Sequence, residues 1–296
     1  MRLVDRFLLA LLLTIRSIVP GPALASPPCP IASGAIEVGG GSLAYQTAGT
    51  GPAVLLLHGL FAQKEQWDAM LCRLAADGRR GIAPDLPGYG ASQGFALADY
   101  RLEAQADLLH RLVAALEIQT LDLAGNSMGG TIAAIYAVRH PDGVLSLAFI
   151  GPPLGATAWA SGVEQAIVDG INPFIPVDAN QFARELGLLF ARPPTVPETT
   201  RSAILADYVT RDRHYRQVWD IVNLYDRALE GIRVPAVPTL ILWGEEDGIF
   251  SIRDATRVQA IFPGSQLVRL PDTGHLPMLE TPDESAEAYL KFLQGH

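Results

Sequence analysis

Cysteine is scarce: Cys29 and Cys72 are the only two in 296 residues. Neither has histidine or cysteine company at ligand spacing, which argues against a zinc or iron–sulfur site. Their own pairing stays open at this level. If 65–76 is helical, Trp67, Met70, Leu71 and Leu74 share one face, and Cys72 points away from it, where the N-terminal arm could meet it; two unpaired thiols are the equal alternative. Positive charge is short as well, with Lys+Arg 22 against Asp+Glu 31 and a net charge of -9. Such an excess repels phosphate backbones and anionic headgroups, so no nucleic-acid partner is expected. Charged residues make up only 18% against 49% hydrophobic, the reverse of a disordered chain. Glycine and proline are ample but aperiodic, no internal repeat is visible, and no run of eighteen apolar residues follows residue 25, so no membrane span is expected in the body of the protein. Oligomeric state leaves no trace in the sequence.

What is present begins with an N-terminus that reads as an export signal. Arg2 and Arg6 precede the apolar run 7–15, and Ala23-Leu24-Ala25 offers an A-x-A cleavage site before Ser26. Asp5 and Arg16 depart from the usual pattern. Residues 1–25 are therefore expected to be removed and the rest to be periplasmic or secreted, a setting that permits a disulfide.

The body reads as α/β. The short apolar runs 54–57, 121–124, 145–150, 239–243 and 267–270 are continuous rather than alternating, as in parallel strands covered on both faces. Between them Leu102, Ala106, Leu109, Val113 and Leu116 form one helical stripe, and 128–139 and 284–293 also read as helices. Residues 35–47, around Gly39-Gly40-Gly41, suggest an opening antiparallel hairpin. A mostly parallel sheet with helices on both faces follows. The alternation stops over 151–237, a Pro-rich stretch with helical pieces and no strong strand. It is too long for a bare loop and is expected to be a helical cap inserted into a core formed by 26–150 and 238–296.

The strongest chemical signal is Gly125-Asn126-Ser127-Met128-Gly129-Gly130, lying between an expected strand and an expected helix. A serine on so sharp a strand-to-helix bend projects its hydroxyl, and side chains two before and two after would collide, hence the glycines. Attack by Ser127 on an acyl carbonyl would place charge on oxygen. Two backbone N–H groups must then point there: Met128, and Leu60 in His58-Gly59-Leu60-Phe61 after the strand 54–57. His58 itself is expected to be structural.

A base is needed. Of His58, His110, His140, His214, His275 and His296, His275 follows the last apolar strand and can reach the sheet edge. His140 and His214 are expected at the surface. The acid that orients the base is expected in Trp243-Gly244-Glu245-Glu246-Asp247, with Asp247 ahead of Glu245 and Glu246, and Asp272 read as a turn residue. The chain order Ser127, Asp247, His275 matches one hydrolase class. No metal and no organic cofactor is implied.

Those motifs, with Asp85-Leu86-Pro87-Gly88-Tyr89-Gly90-Ala91-Ser92, resemble the α/β-hydrolase fold over nearly the whole mature chain. The resemblance implies a serine hydrolase with a triad of Ser127, Asp247 and His275, an oxyanion hole from Leu60 and Met128, and a structural role for 85–92. The stretch from His58 to Trp67 together with the Ser127 elbow is similar to monoacylglycerol lipases and capped bacterial lipases. That similarity implies ester hydrolysis, with an apolar acyl pocket drawn from cap residues such as Trp159, Phe174, Phe182, Leu186, Phe190, Tyr208, Trp219 and Tyr225. A second reading is a carbon–carbon bond hydrolase of ring-cleavage products, which would need a carboxylate clamp that cap arginines such as Arg184 or Arg192 could supply. A third is a binding protein on the same fold.

Overall fold

Strand β3 (Ala53–Leu57) is buried at every position, because both of its faces meet a core. Leu55 and Leu57 face one side, packed with Leu109, Leu112, Ile132 and Tyr136. Val54 and Leu56 face the other, packed with Trp67, Leu71, Leu74 and Tyr289. This is the physical origin of the unbroken apolar runs in the sequence.

The computed structural model describes residues 29–296, so the expected signal segment 1–25 lies outside the described residues. An eight-stranded sheet comprises β1 (Ala32–Val38), β2 (Gly41–Ala48), β3, β4 (Arg80–Pro84), β5 (Leu121–Gly125), β6 (Val144–Ile150), β7 (Thr239–Gly244) and β8 (Gln266–Leu270), in spatial order β1-β2-β4-β3-β5-β6-β7-β8. The first two strands form the expected hairpin, and β2 also runs antiparallel to β4. All other neighbours are parallel.

Two strands differ from expectation. Strand β4 was not foreseen, because its sequence RGIAP begins with a cation and carries only a short apolar run. Strand β8 ends the sheet and is not covered on both faces; Gln266 and Arg269 are exposed there.

Helices α1 (Asp68–Ala76) and α10 (Pro282–Leu293), the latter preceded by the single turn α9 (Pro277–Glu280), cover one face of the sheet. Helices α2 (Leu102–Ala115), α3 (Met128–Arg139) and α8 (Ala255–Ile261) cover the other. Helix α3 is buried almost all round, and its Gly and Ala positions let it lie close against the strands. Between β6 and β7 stand four helices, α4 (Ser161–Val168), α5 (Ala179–Leu189), α6 (Glu198–Thr210) and α7 (Asp212–Val222). Asp178 caps α5 by accepting from the N–H groups of Asn180 and Gln181. These helices build a cluster of their own around Phe182, Leu186, Ile204, Tyr208 and Tyr215, against which Phe61 of the loop after β3 packs.

The cysteines pair. Cys29 and Cys72 form a disulfide with 5.4 Å between their Cα atoms, closing a separation of 43 residues. It ties the arm before β1 to α1. No helix among the described residues is long and apolar enough to cross a membrane.

Candidate active site

The loops that follow parallel strands gather at the carboxyl ends of those strands, and that is where the chemistry-bearing residues meet. Ser127 occupies the bend between β5 and α3 with φ 50° and ψ −117°, a backbone conformation that side chains rarely adopt and that costs about 1–3 kcal/mol. The bend is closed by two glycines. A Cβ on Gly125 would stand 2.4 Å from the carbonyl of Gly129, and one on Gly129 would stand 2.3 Å from the carbonyl oxygen of Leu57. Any side chain at either position would push the serine off its perch.

Asp247 and His275 come from the loops after β7 and β8. His275 Nδ1 lies 2.9 Å from Asp247 Oδ2. That carboxylate also accepts from Trp243 Nε1 at 3.1 Å, and its other oxygen accepts from the N–H groups of Ile249 and Phe250 at 2.8 and 3.1 Å. Four donors hold one buried anion in a fixed plane. The proton of His275 is thereby placed on Nδ1, which leaves the lone pair on Nε2. Glu245 and Glu246 are exposed, as is Asp272 in its left-handed turn at φ 51°. The loop around His275 is anchored from two sides: the His275 N–H donates to Leu189 O of the cap at 2.8 Å, and Gly274 N–H donates to Glu280 Oε2, just downstream, at 2.6 Å.

The loop after β3 closes the third side. A Cβ on Gly59 would lie 3.6 Å from Ser127 Cβ and 2.7 Å from Asn126 Oδ1, so the backbone leading to Leu60 runs against the serine. His58 is fully buried and structural. Its Nε2 accepts from Leu86 N–H at 3.0 Å while Nδ1 meets Gly59 O at 2.8 Å. Burial holds its pKa down to about 4. The neutral ring stitches the loop to residues 85–92, where buried Asp85 accepts from Lys64 Nζ (2.7 Å), Lys64 N–H (2.9 Å) and Ala91 N–H (2.8 Å).

Ser127, His275, Leu60 and Met128 line one cavity of about 150 Å³. The cap supplies much of its wall, through Trp159, Phe174, Phe182, Leu186, Phe190 and Tyr208, whereas Trp219 and Tyr225 pack elsewhere. No lysine or arginine is among the lining residues. Arg184 is exposed and donates to Gly162 O, and Arg192 is exposed and donates to Asp272 O. Neither provides the carboxylate clamp that a carbon–carbon bond hydrolase was expected to draw from them, because both side chains are engaged outside the cavity.

Two surface expectations need correction. His214, on α7, is half-buried and donates from Nε2 to Gly88 O at 2.8 Å, fastening the cap to the 85–92 loop. His140 is not simply solvated: it stacks on His110 with ring centres 4.0 Å apart and bonds Asp107 at 2.9 Å. Sequence reasoning also missed Asn126, whose Nδ2 reaches the carbonyls of Ile150 and His275, and Glu185, a buried acid in the cavity wall. The position of Asn126 next to the serine was a signal for the first; nothing local marked the second.

Comparison with known proteins agrees with this architecture. The chain is 29% identical over 249 residues to Lipase 1 of Psychrobacter immobilis, covering 82% of this chain and 77% of that one. It is 27% identical over 259 residues to Monoacylglycerol lipase abhd6-A of Xenopus laevis, covering 83% and 77%. The crystal structure of a membrane phospholipase A, a bacterial virulence factor, superposes with a TM-score of 0.84 at 29% identity, over 97% of this chain and 92% of that one. The family model for the alpha/beta hydrolase fold matches residues 52–282, from the threshold of β3 to the first residue of α10, and the chain belongs to that family.

Proposed function

We propose that this protein is an exported serine hydrolase that cleaves carboxylic esters with an apolar acyl chain. The observation that carries the reading is the 2.9 Å link from Asp247 to His275, whose ring shares one cavity with Ser127. His275 Nε2 takes the Ser127 proton as the hydroxyl oxygen attacks the ester carbonyl. The oxyanion is received by the N–H groups of Leu60 and Met128. His275 then protonates the departing alcohol, leaving an acyl-enzyme. Water, deprotonated by the same imidazole, repeats the attack and releases the acid. Asp247 keeps the ring in the productive tautomer and stabilises its charged form.

Names of the relatives, lipases and monoacylglycerol lipases, favour esters over other acyl derivatives. The aromatic and aliphatic wall supplied by the cap favours an apolar acyl chain. Export is supported by the leader-like N-terminus and by the Cys29–Cys72 disulfide, which persists in an oxidising compartment.

The test is a series of p-nitrophenyl esters of increasing acyl length, run beside Ser127→Ala and a fluorophosphonate probe. Turnover rising with chain length, and probe labelling lost in Ser127→Ala, are expected. Labelling retained in that variant, or a preference for short charged acids, overturns the reading.

A further inference from the structure

Glu185 has no place in the chemistry above, yet it stands in the same cavity. It lies on α5, is 7% exposed, and lines the wall beside Phe182, Leu186 and Ile204. Its one hydrogen-bond partner among the described residues is the hydroxyl of Tyr208, 3.5 Å from Oε1. That is well beyond the 2.5–3.0 Å typical of O–H···O contacts, so each group keeps most of its bonding capacity unused. Buried polar side chains ordinarily hold at least one hydrogen bond, and here Glu185 and Tyr208 share only a long one.

No cation lines the cavity to hold a carboxylate. Burial accordingly pushes the Glu185 pKa up to about 8, and burial with the adjacent acid holds the Tyr208 hydroxyl protonated. At neutral pH both side chains are neutral, and both can donate as well as accept.

We propose that Glu185 and Tyr208 form a polar subsite inside the otherwise apolar cavity, and that it binds a neutral oxygen function, a hydroxyl or carbonyl, carried on the apolar arm of the substrate. An oxygen seated between the two completes both hydrogen bonds that the empty pair makes poorly. The preference is for neutral oxygen because a carboxylate or phosphate finds no counter-charge in the wall. This inference rests on the ester-hydrolase reading for the word substrate, but the subsite itself is a binding property.

The experiment therefore has two arms. In the first, kcat and KM are measured for p-nitrophenyl decanoate and its mid-chain and terminal hydroxy derivatives, on the native protein, Glu185→Gln and Glu185→Leu. One hydroxy derivative is expected to gain in kcat/KM over the plain ester, chiefly through KM. Glu185→Leu is expected to lose that advantage by about tenfold, the usual worth of a buried polar contact, while Glu185→Gln, which still donates, keeps most of it. In the second arm, decanol and decanediols are bound to Ser127→Ala with and without Glu185→Leu, and the melting shift is read. The same loss of diol preference is expected. Ratios equal across the three proteins in both arms overturn the subsite and leave Glu185 a packing residue. Absence of any ester turnover alongside a diol contrast that depends on Glu185 overturns the ester reading and upholds the subsite.

Discussion

Asn126 Nδ2 donates to the carbonyl oxygen of His275 across 3.2 Å and to that of Ile150 across 2.7 Å. The residue beside the serine thus grips the backbone of the residue proposed as its base, although 149 positions separate them in the chain. The fit is close: a Cβ on Gly151 would stand 2.5 Å from the same Asn126 nitrogen and 2.8 Å from His275 O. Two loops that must agree within a fraction of an ångström are locked by one amide. Asn126→Asp replaces that donor with an anion facing two carbonyls. It is expected to lower kcat by about a hundredfold, the usual penalty for an ångström of misplacement, with KM nearly unchanged. Steady-state kinetics on a p-nitrophenyl ester, with the melting temperature as a control, checks this.

Asp247→Asn keeps the shape of the side chain but offers an amide where four donors converge. His275 then loses its reason to carry the proton on Nδ1. A fall in kcat of about ten-thousand-fold is expected, as for wrong-tautomer triads generally. Glu245→Gln and Glu246→Gln, being changes at exposed carboxylates, are expected to alter kcat by less than about twofold. Equal losses at all three positions would remove Asp247 from the mechanism.

Reduction of the Cys29–Cys72 bridge frees a loop of 43 residues in the unfolded chain. Chain-entropy arithmetic puts the loss of stability at about 4 kcal/mol. Cys72→Ser is expected to show that loss as a lower denaturant midpoint, and reductant is expected to have no further effect on it. Thiol titration of the unfolded native protein without reductant is expected to find no free cysteine.

Two buried groups oppose one another in the pH dependence of stability. His58 has its pKa held down to about 4 against an ordinary 6.5, so the unfolded chain takes up a proton first as pH falls. Stability is lost between about pH 6.5 and 4, by on the order of 3 kcal/mol. His58→Gln, which can still accept from Leu86 N–H, is expected to flatten that limb.

Glu185 is pushed up to about 8 from an ordinary 4.5, so the folded protein holds its proton longer. Stability is lost as pH rises from about 4.5 through 8, by on the order of 5 kcal/mol. The ionisable groups around it are Tyr208 of α6, Tyr215 of α7, Asp207 and Arg211 against that tyrosine, and His275 across the cavity. The one permanent cation among them, Arg211, is paired with Asp207 at 3.5 Å. Glu185→Gln is expected to match the native protein at pH 4.5 and exceed it at pH 8 in denaturant titrations.

Much of the fold was legible because its signals are local. Continuous apolar runs mark strands with two buried faces, and β3, β5 and β7 stand where those runs predicted. Strand β4 escaped because its run is short and opens with Arg80, whose cation sits at the strand's start. The elbow was legible for the same reason: steric exclusion at Gly125 and Gly129 operates within a few residues of Ser127, so the pattern spells the bend.

The choice among nearby acids was only half local. Asp247, Glu245 and Glu246 are adjacent in sequence, and what separates them is that the chain turns Asp247 inward onto Trp243 and two backbone N–H groups. His214 was expected at the surface and is half-buried, and Arg184 and Arg192, which could have supplied a clamp under the carbon–carbon reading, are engaged outside the cavity, because the cap's orientation on the core decides what each side chain can reach.

The sequence by itself determined the alternation of strands and helices, the strained bend at Ser127, and the order of the three residues proposed for the chemistry, since each depends on sterics and burial over short stretches. Only the tertiary structure decided that Cys29 meets Cys72, that Asn126 reaches His275, and that an acid on a cap helix faces the cavity of the serine. Those contacts join segments far apart in the chain, and their geometry exists only once the sheet, its loops and the inserted helices have packed together.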